Sequence, residues 1–141
     1  MKGEKSMTTQ KEIYRCNICG NIVEVLHPGA TLSCCGRPME QVQSRTNDGA
    51  REKHVPQVEK SGNAYRICIG SVPHPMTEEH FIQWVELVTE SEVMRKEFLP
   101  GDKPEVTFRT DEHVLYARAY CNLHGLWYCE CSREACSMTH E

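Results

Sequence analysis

Hydrophobic positions fall in short runs along this chain, and the runs are broken by glycine, proline and aspartate. Residues 64–69, 105–109 and 115–121 are β-branched or aromatic stretches of strand length, a composition suited to a pleated, half-buried surface. Ile22-Val23-Glu24-Val25-Leu26 reads the same way nearer the N-terminus. One segment departs from this pattern. Phe81, Trp84, Val85 and Val88 recur at helical spacing, with Thr77 placed as an N-cap and Glu78 and Glu79 in the first turn. Spacing alone therefore predicts a helix there, although the set Phe81, Val85 and Leu87 also permits a strand.

The punctuation divides the chain. Residues 1–12 are polar and are expected to form a flexible tail. Residues 13–48 are expected to form a first domain, with four cysteines around strands too short to build a core alone. Gln43-Ser44-Arg45-Thr46-Asn47-Asp48-Gly49 reads as a linker. Residues 49–130, with regular structure from about Arg51, form the second domain, and 131–141 a cysteine-containing tail. Short strands with turns between them predict an all-β sandwich or barrel. No internal repeat or low-complexity tract is apparent.

Composition narrows the function. Of 141 residues 39% are hydrophobic, enough for a modest core. A net charge of -4 gives no general attraction to nucleic acid or an anionic membrane, so neither is expected as a partner. No stretch is long and apolar enough to span a bilayer, and the first eleven residues lack the hydrophobic run of a secretory signal. The expected location is cytoplasmic. In that setting nine cysteines read as metal ligands or reduced thiols rather than a disulfide framework.

The first candidate site is Cys16-Asn17-Ile18-Cys19-Gly20 followed by Ser33-Cys34-Cys35-Gly36. A Cys-x-x-Cys turn aims two thiolates at one point, and a second pair about fifteen residues on can close a tetrahedron around a metal. Gly20 and Gly36 each follow a ligand, where tight turns let backbone amides approach sulfur. Four thiolates suit zinc as well as iron. A thioredoxin-like redox pair at Cys16 and Cys19 fits less well, because no βαβ pattern surrounds it.

The second candidate site is dispersed: Glu52-Lys53-His54, His74 between Pro73 and Pro75, His80, and Cys121-Asn122-Leu123-His124-Gly125. Imidazoles with one thiolate suit iron, copper or zinc. Cys121 and His124 stand three apart at the end of a predicted strand, where both can turn onto one centre. His27, His113 and His140 have no such company, and Cys68 reads as a small buried hydrophobe.

At these residues the chain resembles a known family. Cys16-x-x-Cys19 with Cys34-Cys35 is similar to the desulforedoxin-type iron centre. Glu52-Lys53-His54, His74-Pro75, His80 and Cys121-Asn122-Leu123-His124-Gly125 are similar to the neelaredoxin-type superoxide reductase site. The two together resemble desulfoferrodoxin, from about Ile13 to Tyr128, and it is the order of the motifs that makes the likeness specific. The resemblance implies a desulforedoxin/rubredoxin-like β unit followed by an immunoglobulin-like β-sandwich, assembled as a homodimer. It also implies a strand after His80, and we take that over the helical spacing.

The same resemblance implies two irons. One is held by Cys16, Cys19, Cys34 and Cys35 and transfers electrons, with a rubredoxin-like protein or a reductase as donor. The other is held by His54, His74, His80 and His124 in a plane with Cys121 axial and the sixth position open, and reduces superoxide to hydrogen peroxide. Lys53 would supply the positive charge that an acidic chain lacks, and Glu52 would fill the open position in the oxidised state. The chain departs from the family at Cys129-Glu130-Cys131 and Cys136. These are expected to be loose thiols on a tail, with a further metal site that includes His140 as the alternative.

Two other classes compete. A cupredoxin-like electron carrier wants a weak axial methionine soon after His124, where Leu126 and Trp127 stand. A non-catalytic zinc-binding module leaves the Glu-Lys-His run, His74 and His80 without a purpose.

Overall fold

The computed structural model describes residues 7–45, 55–69 and 75–130. Within them every regular element is a strand, and no helix is long and apolar enough to cross a membrane. The chain forms two compact units, Met1–Gln43 and Ser44–Glu141.

The first unit contains β1 (Ile13–Arg15), β2 (Ile22–Glu24), β3 (Ser33–Cys34), β4 (Arg37–Pro38) and β5 (Glu40–Gln41). β1 lies between β2 and β5 in an antiparallel sheet, while β3 and β4 form a separate hairpin. Its core is small: Tyr14, Cys16, Val25 and Met39 are buried, with Val23, Leu32 and Cys34 packed against them. Two of these seven side chains are cysteines of the first candidate site. The expected tail ends earlier than residue 12. Thr8 is buried and exchanges bonds with Gly29, its N–H donating to the carbonyl at 2.8 Å and its Oγ1 accepting from the Gly29 N–H at 2.9 Å. Lys11 N–H reaches Val25 O at 2.7 Å. Short polar side chains had made this segment look unattached, but they are what fasten it.

The second unit contains β6 (Ser44–Arg45), β7 (Pro56–Ser61), β8 (Ala64–Ile69), β9 (Ile82–Thr89), β10 (Val93–Glu97), β11 (Glu105–Arg109), β12 (Val114–Cys121) and β13 (Gly125–Glu130). Five strands pair in the order β10-β9-β12-β13-β6 and three in the order β11-β8-β7. Inward residues of both sheets, among them Val58, Ile67, Ile69, Val85, Leu87, Ala117, Ala119 and Trp127, make one core. This is the expected all-β sandwich. The unit begins earlier than the expected boundary after residue 48, because Ser44 and Arg45 already pair with Leu126 and Trp127.

The helical spacing at 81–88 does not produce a helix. β9 is bulged: Tyr120 pairs with Trp84 but Cys121 pairs with Ile82, so Gln83 is an extra residue. The bulge turns one step of two into a step of three, and Ile82 and Val85 both reach the core. The other face of these strands is buried as well. Trp84 stacks on Tyr120 with centroids 4.7 Å apart. The carboxylate of Glu86, wholly buried, accepts from Arg118 Nε at 2.7 Å and Arg95 Nε at 2.9 Å. With apolar contacts on both faces, a period of two cannot show in the sequence.

Two cysteine expectations also change. Cys68 lies in β8 but is only half-buried, beside exposed Arg66. Cys129 is no loose thiol: it points into the core opposite Ala117, and burial pushes its thiol up to about 11. Cys131, Cys136 and His140 lie outside the described residues.

Candidate metal centres

The four-cysteine site is made by two turns. In the first, Gly20 N–H bonds Cys16 O at 2.9 Å and Cys16 N–H bonds Asn21 O at 2.8 Å. This closes a knuckle that needs the positive φ of 85° at Gly20. In the second, Cys35 and Gly36 link β3 to β4 with φ of 56° and 75°. Two consecutive positive φ values make the tight hairpin turn whose twist matches the flanking strands. Glycine takes that geometry freely; Cys35 takes it at a cost that its role as a ligand explains.

The ligand sulfurs of Cys16, Cys19, Cys34 and Cys35 lie within 4.8 Å of one another. Cys19 and Cys34 are 3.6 Å apart and Cys34 and Cys35 3.9 Å. A metal–sulfur bond of about 2.3 Å separates tetrahedral sulfurs by about 3.8 Å, so the residues fit a bound metal. The N–H groups of Cys19 and Ile18 point at Cys16 Sγ, at 3.5 and 3.4 Å, and hold that thiol down to about 6. The crowding sulfurs of Cys19, Cys16 and Cys34 push the Cys35 thiol up to about 12. Four thiolates this close require a cation among them.

The second site stands at the end of the five-stranded sheet. Cys121 is the last residue of β12 and is buried, His124 follows in the turn to β13, and His80 immediately precedes Phe81 and β9. Their ligand atoms lie within 4.8 Å of one another. Cys121 Sγ is 3.7 Å from His124 Nδ1, and the imidazoles of His80 and His124 meet edge to face at 4.9 Å. Burial raises the Cys121 thiol, opposed by the N–H groups of Leu123 and His124 that point at its sulfur. One soft thiolate and two imidazoles converging at the end of the sheet form a donor set fit for iron. Glu52, Lys53, His54 and His74 lie outside the described residues.

Neighbouring residues fix the ligands in place. Trp127 Nε1 donates to His124 O at 3.1 Å. Thr77 meets His80 with its N–H, carbonyl and hydroxyl, the His80 N–H donating to Thr77 Oγ1 at 3.1 Å. The sequence had suggested Thr77 as an N-cap. The bond is the same i to i+3 contact, but here it closes a turn in front of a strand. Asn122, between two ligands, donates from Nδ2 to Glu79 O at 3.0 Å and accepts at Oδ1 from Phe81 N–H at 2.9 Å. Sequence reasoning passed over it. The available signal was a short amide, apt to bond backbone, within a ligand turn.

Residues 8–42 match the family described as the desulfoferrodoxin N-terminal domain, and residues 46–130 match the family described as desulfoferrodoxin. The chain is 52% identical over 125 residues to the desulfoferrodoxin of Nitratidesulfovibrio vulgaris, covering 88% of this chain and 99% of that one. It is 36% identical over 102 residues to a superoxide reductase of Pyrococcus horikoshii, covering 59% of this chain and 89% of that one. The crystal structure of the superoxide reductase from Treponema pallidum superimposes with a TM-score of 0.66 at 34% identity, covering 83% of this chain and 94% of that one.

Proposed function

The chain belongs to the desulfoferrodoxin family, and from that premise we propose that His54 and His74 join His80, His124 and Cys121 as the ligands of its catalytic iron. It is a superoxide reductase, and its four-cysteine and histidine–cysteine sites are iron sites. The observation that carries the reading is the convergence of His80, Cys121 and His124 within 4.8 Å from opposite ends of two strands. Iron bound there supplies the one electron that, with two protons, takes superoxide to hydrogen peroxide.

The protein's own residues do the rest. Leu123 and His124 N–H groups orient and stabilise the Cys121 thiolate. Lys53 draws the anion to a protein whose net charge of -4 would otherwise repel it, and holds the water that delivers protons. Glu52 would cover the iron site in its oxidised resting state and withdraw once a donor has reduced it, leaving the reduced site open to superoxide. The four-cysteine centre relays electrons from a rubredoxin-like protein or a reductase. The protein works as a homodimer in the cytoplasm, where its thiols stay reduced.

Anaerobic superoxide consumption tests the reading. One peroxide per superoxide and no oxygen is the expected yield, whereas evolution of oxygen would identify a dismutase. Lys53→Ala should slow capture by about tenfold at low salt, the gap closing as salt screens the charge. An unchanged rate and salt dependence would remove Lys53 from the mechanism.

A further inference from the structure

We propose that Asn122 is the positioning residue of the histidine–cysteine site: by bonding the backbone on both sides of His80, it sets that ligand against Cys121 and His124. The inference rests on the iron reading above but concerns a residue outside the ligand set.

The sheet shows why a side chain is needed. In a regular antiparallel pair, Asn122 and Phe81 would exchange two backbone bonds. One is made, Asn122 N–H to Phe81 O at 3.2 Å. The return bond, from Phe81 N–H, goes instead to Asn122 Oδ1 at 2.9 Å. The side chain thus takes the place of its own carbonyl, and the backbone can leave the ladder and turn through Leu123 to His124. The bulge one step earlier, where Cys121 pairs with Ile82, marks where regular pairing ends. The amide's other arm donates to Glu79 O at 3.0 Å. An N–H on one side and a carbonyl on the other allow only one orientation of the amide.

Asn122 therefore holds residues 79 and 81 while sitting between ligands 121 and 124. His80 itself is held by Thr77, four bonds linking the backbone and hydroxyl of one to the backbone of the other. Thr77 shapes the histidine turn; Asn122 ties that turn to the cysteine strand. Other side chains fit less well. Alanine loses both arms, aspartate keeps the acceptor but sets a second oxygen against the Glu79 carbonyl, and glutamine is a methylene too long. Ligand atoms within 4.8 Å of one another leave little tolerance for drift of one loop.

The test compares Asn122→Ala, Asn122→Asp and a distant control, Val114→Ala, which opens the core at the far end of β12. The full chain loaded with iron is challenged with a chelator, and the ferric electron paramagnetic resonance and thiolate-to-iron absorption of the histidine–cysteine site are recorded. Asn122→Ala should lose that iron about tenfold faster or more and show altered rhombicity. Asn122→Asp should fall between, and the four-cysteine spectrum, an internal control, should not change. Val114→Ala should lower thermal stability without altering either spectrum. The proposal is overturned if Asn122→Ala keeps the wild-type spectrum and iron retention, or if Val114→Ala reproduces its effects at matched stability. A wild-type protein lacking the thiolate band would overturn the iron assignment, and the clamp's purpose with it.

Discussion

The two units hold metal in opposite ways. In the first, all four ligands come from twenty residues of chain, and two of them belong to the hydrophobic cluster itself. In the second, ligands arrive from the ends of separate strands, and of the described ones only Cys121 belongs to the core, one of its fifteen buried side chains. A unit of about 40 residues rarely closes on apolar burial alone. In the small unit metal replaces a core; in the sandwich a core presents a metal. The fold of one should depend on its ion, and the fold of the other should not.

The strongest challenge to this contrast is removal of the small unit's metal. Cys34→Ser, or chelation, should abolish amide-exchange protection at Tyr14 and Val25, because binding energy there is folding energy. The sandwich should keep its own cooperative transition. Persistent protection in the metal-free small unit would break the contrast. A smaller effect is expected from Glu86→Gln, which takes from two arginines the buried carboxylate they share. It should cost the sandwich about 3 to 5 kcal/mol, read by denaturant unfolding, while the four-cysteine absorption stays as it was. The smallest effects sharpen the contrast most. Gly36 and Gly101 have φ of 75° and 92° and open space where a Cβ would go. Alanine therefore adds only backbone strain at either position, about 1 kcal/mol. Gly36→Ala should hasten iron loss from the small unit. Gly101→Ala should lower the sandwich melting temperature by about 4–8 °C and leave iron retention alone. Equal effects on iron retention would mean that the units share their stability.

What could be read in advance follows the same division. The four-cysteine site was legible because its spacing is local: a Cys-x-x-Cys turn and an adjacent pair state their geometry within a few residues. β8 and β11 appear over the residues their β-branched and aromatic runs marked out. The second site was legible from spacing only in its Cys121–His124 turn. His80 and His124 are separated by more than forty residues, and only resemblance to a family united them before the fold did. β9 misled because a bulge and two buried faces erase alternation. Thr77 misled because a hydroxyl bonding an amide three residues on is common to helix starts and to turns. Cys129 was misread because the residues that follow it in sequence are mostly polar, whereas in space it stands opposite Ala117 within the core.

The alternation along β12 carries one last consequence. Ala117, Ala119 and Cys121 point inward, while Tyr116, Arg118 and Tyr120 point the other way. The aim of the sulfur is thus a matter of odd and even. Inserting one residue between Ala117 and Cys121 would turn the thiol to the opposite side of the sheet, and inserting two would restore its aim about 7 Å further along. A loop that carries no ligand has no such parity; this strand keeps the aim of its sulfur only if it changes in pairs.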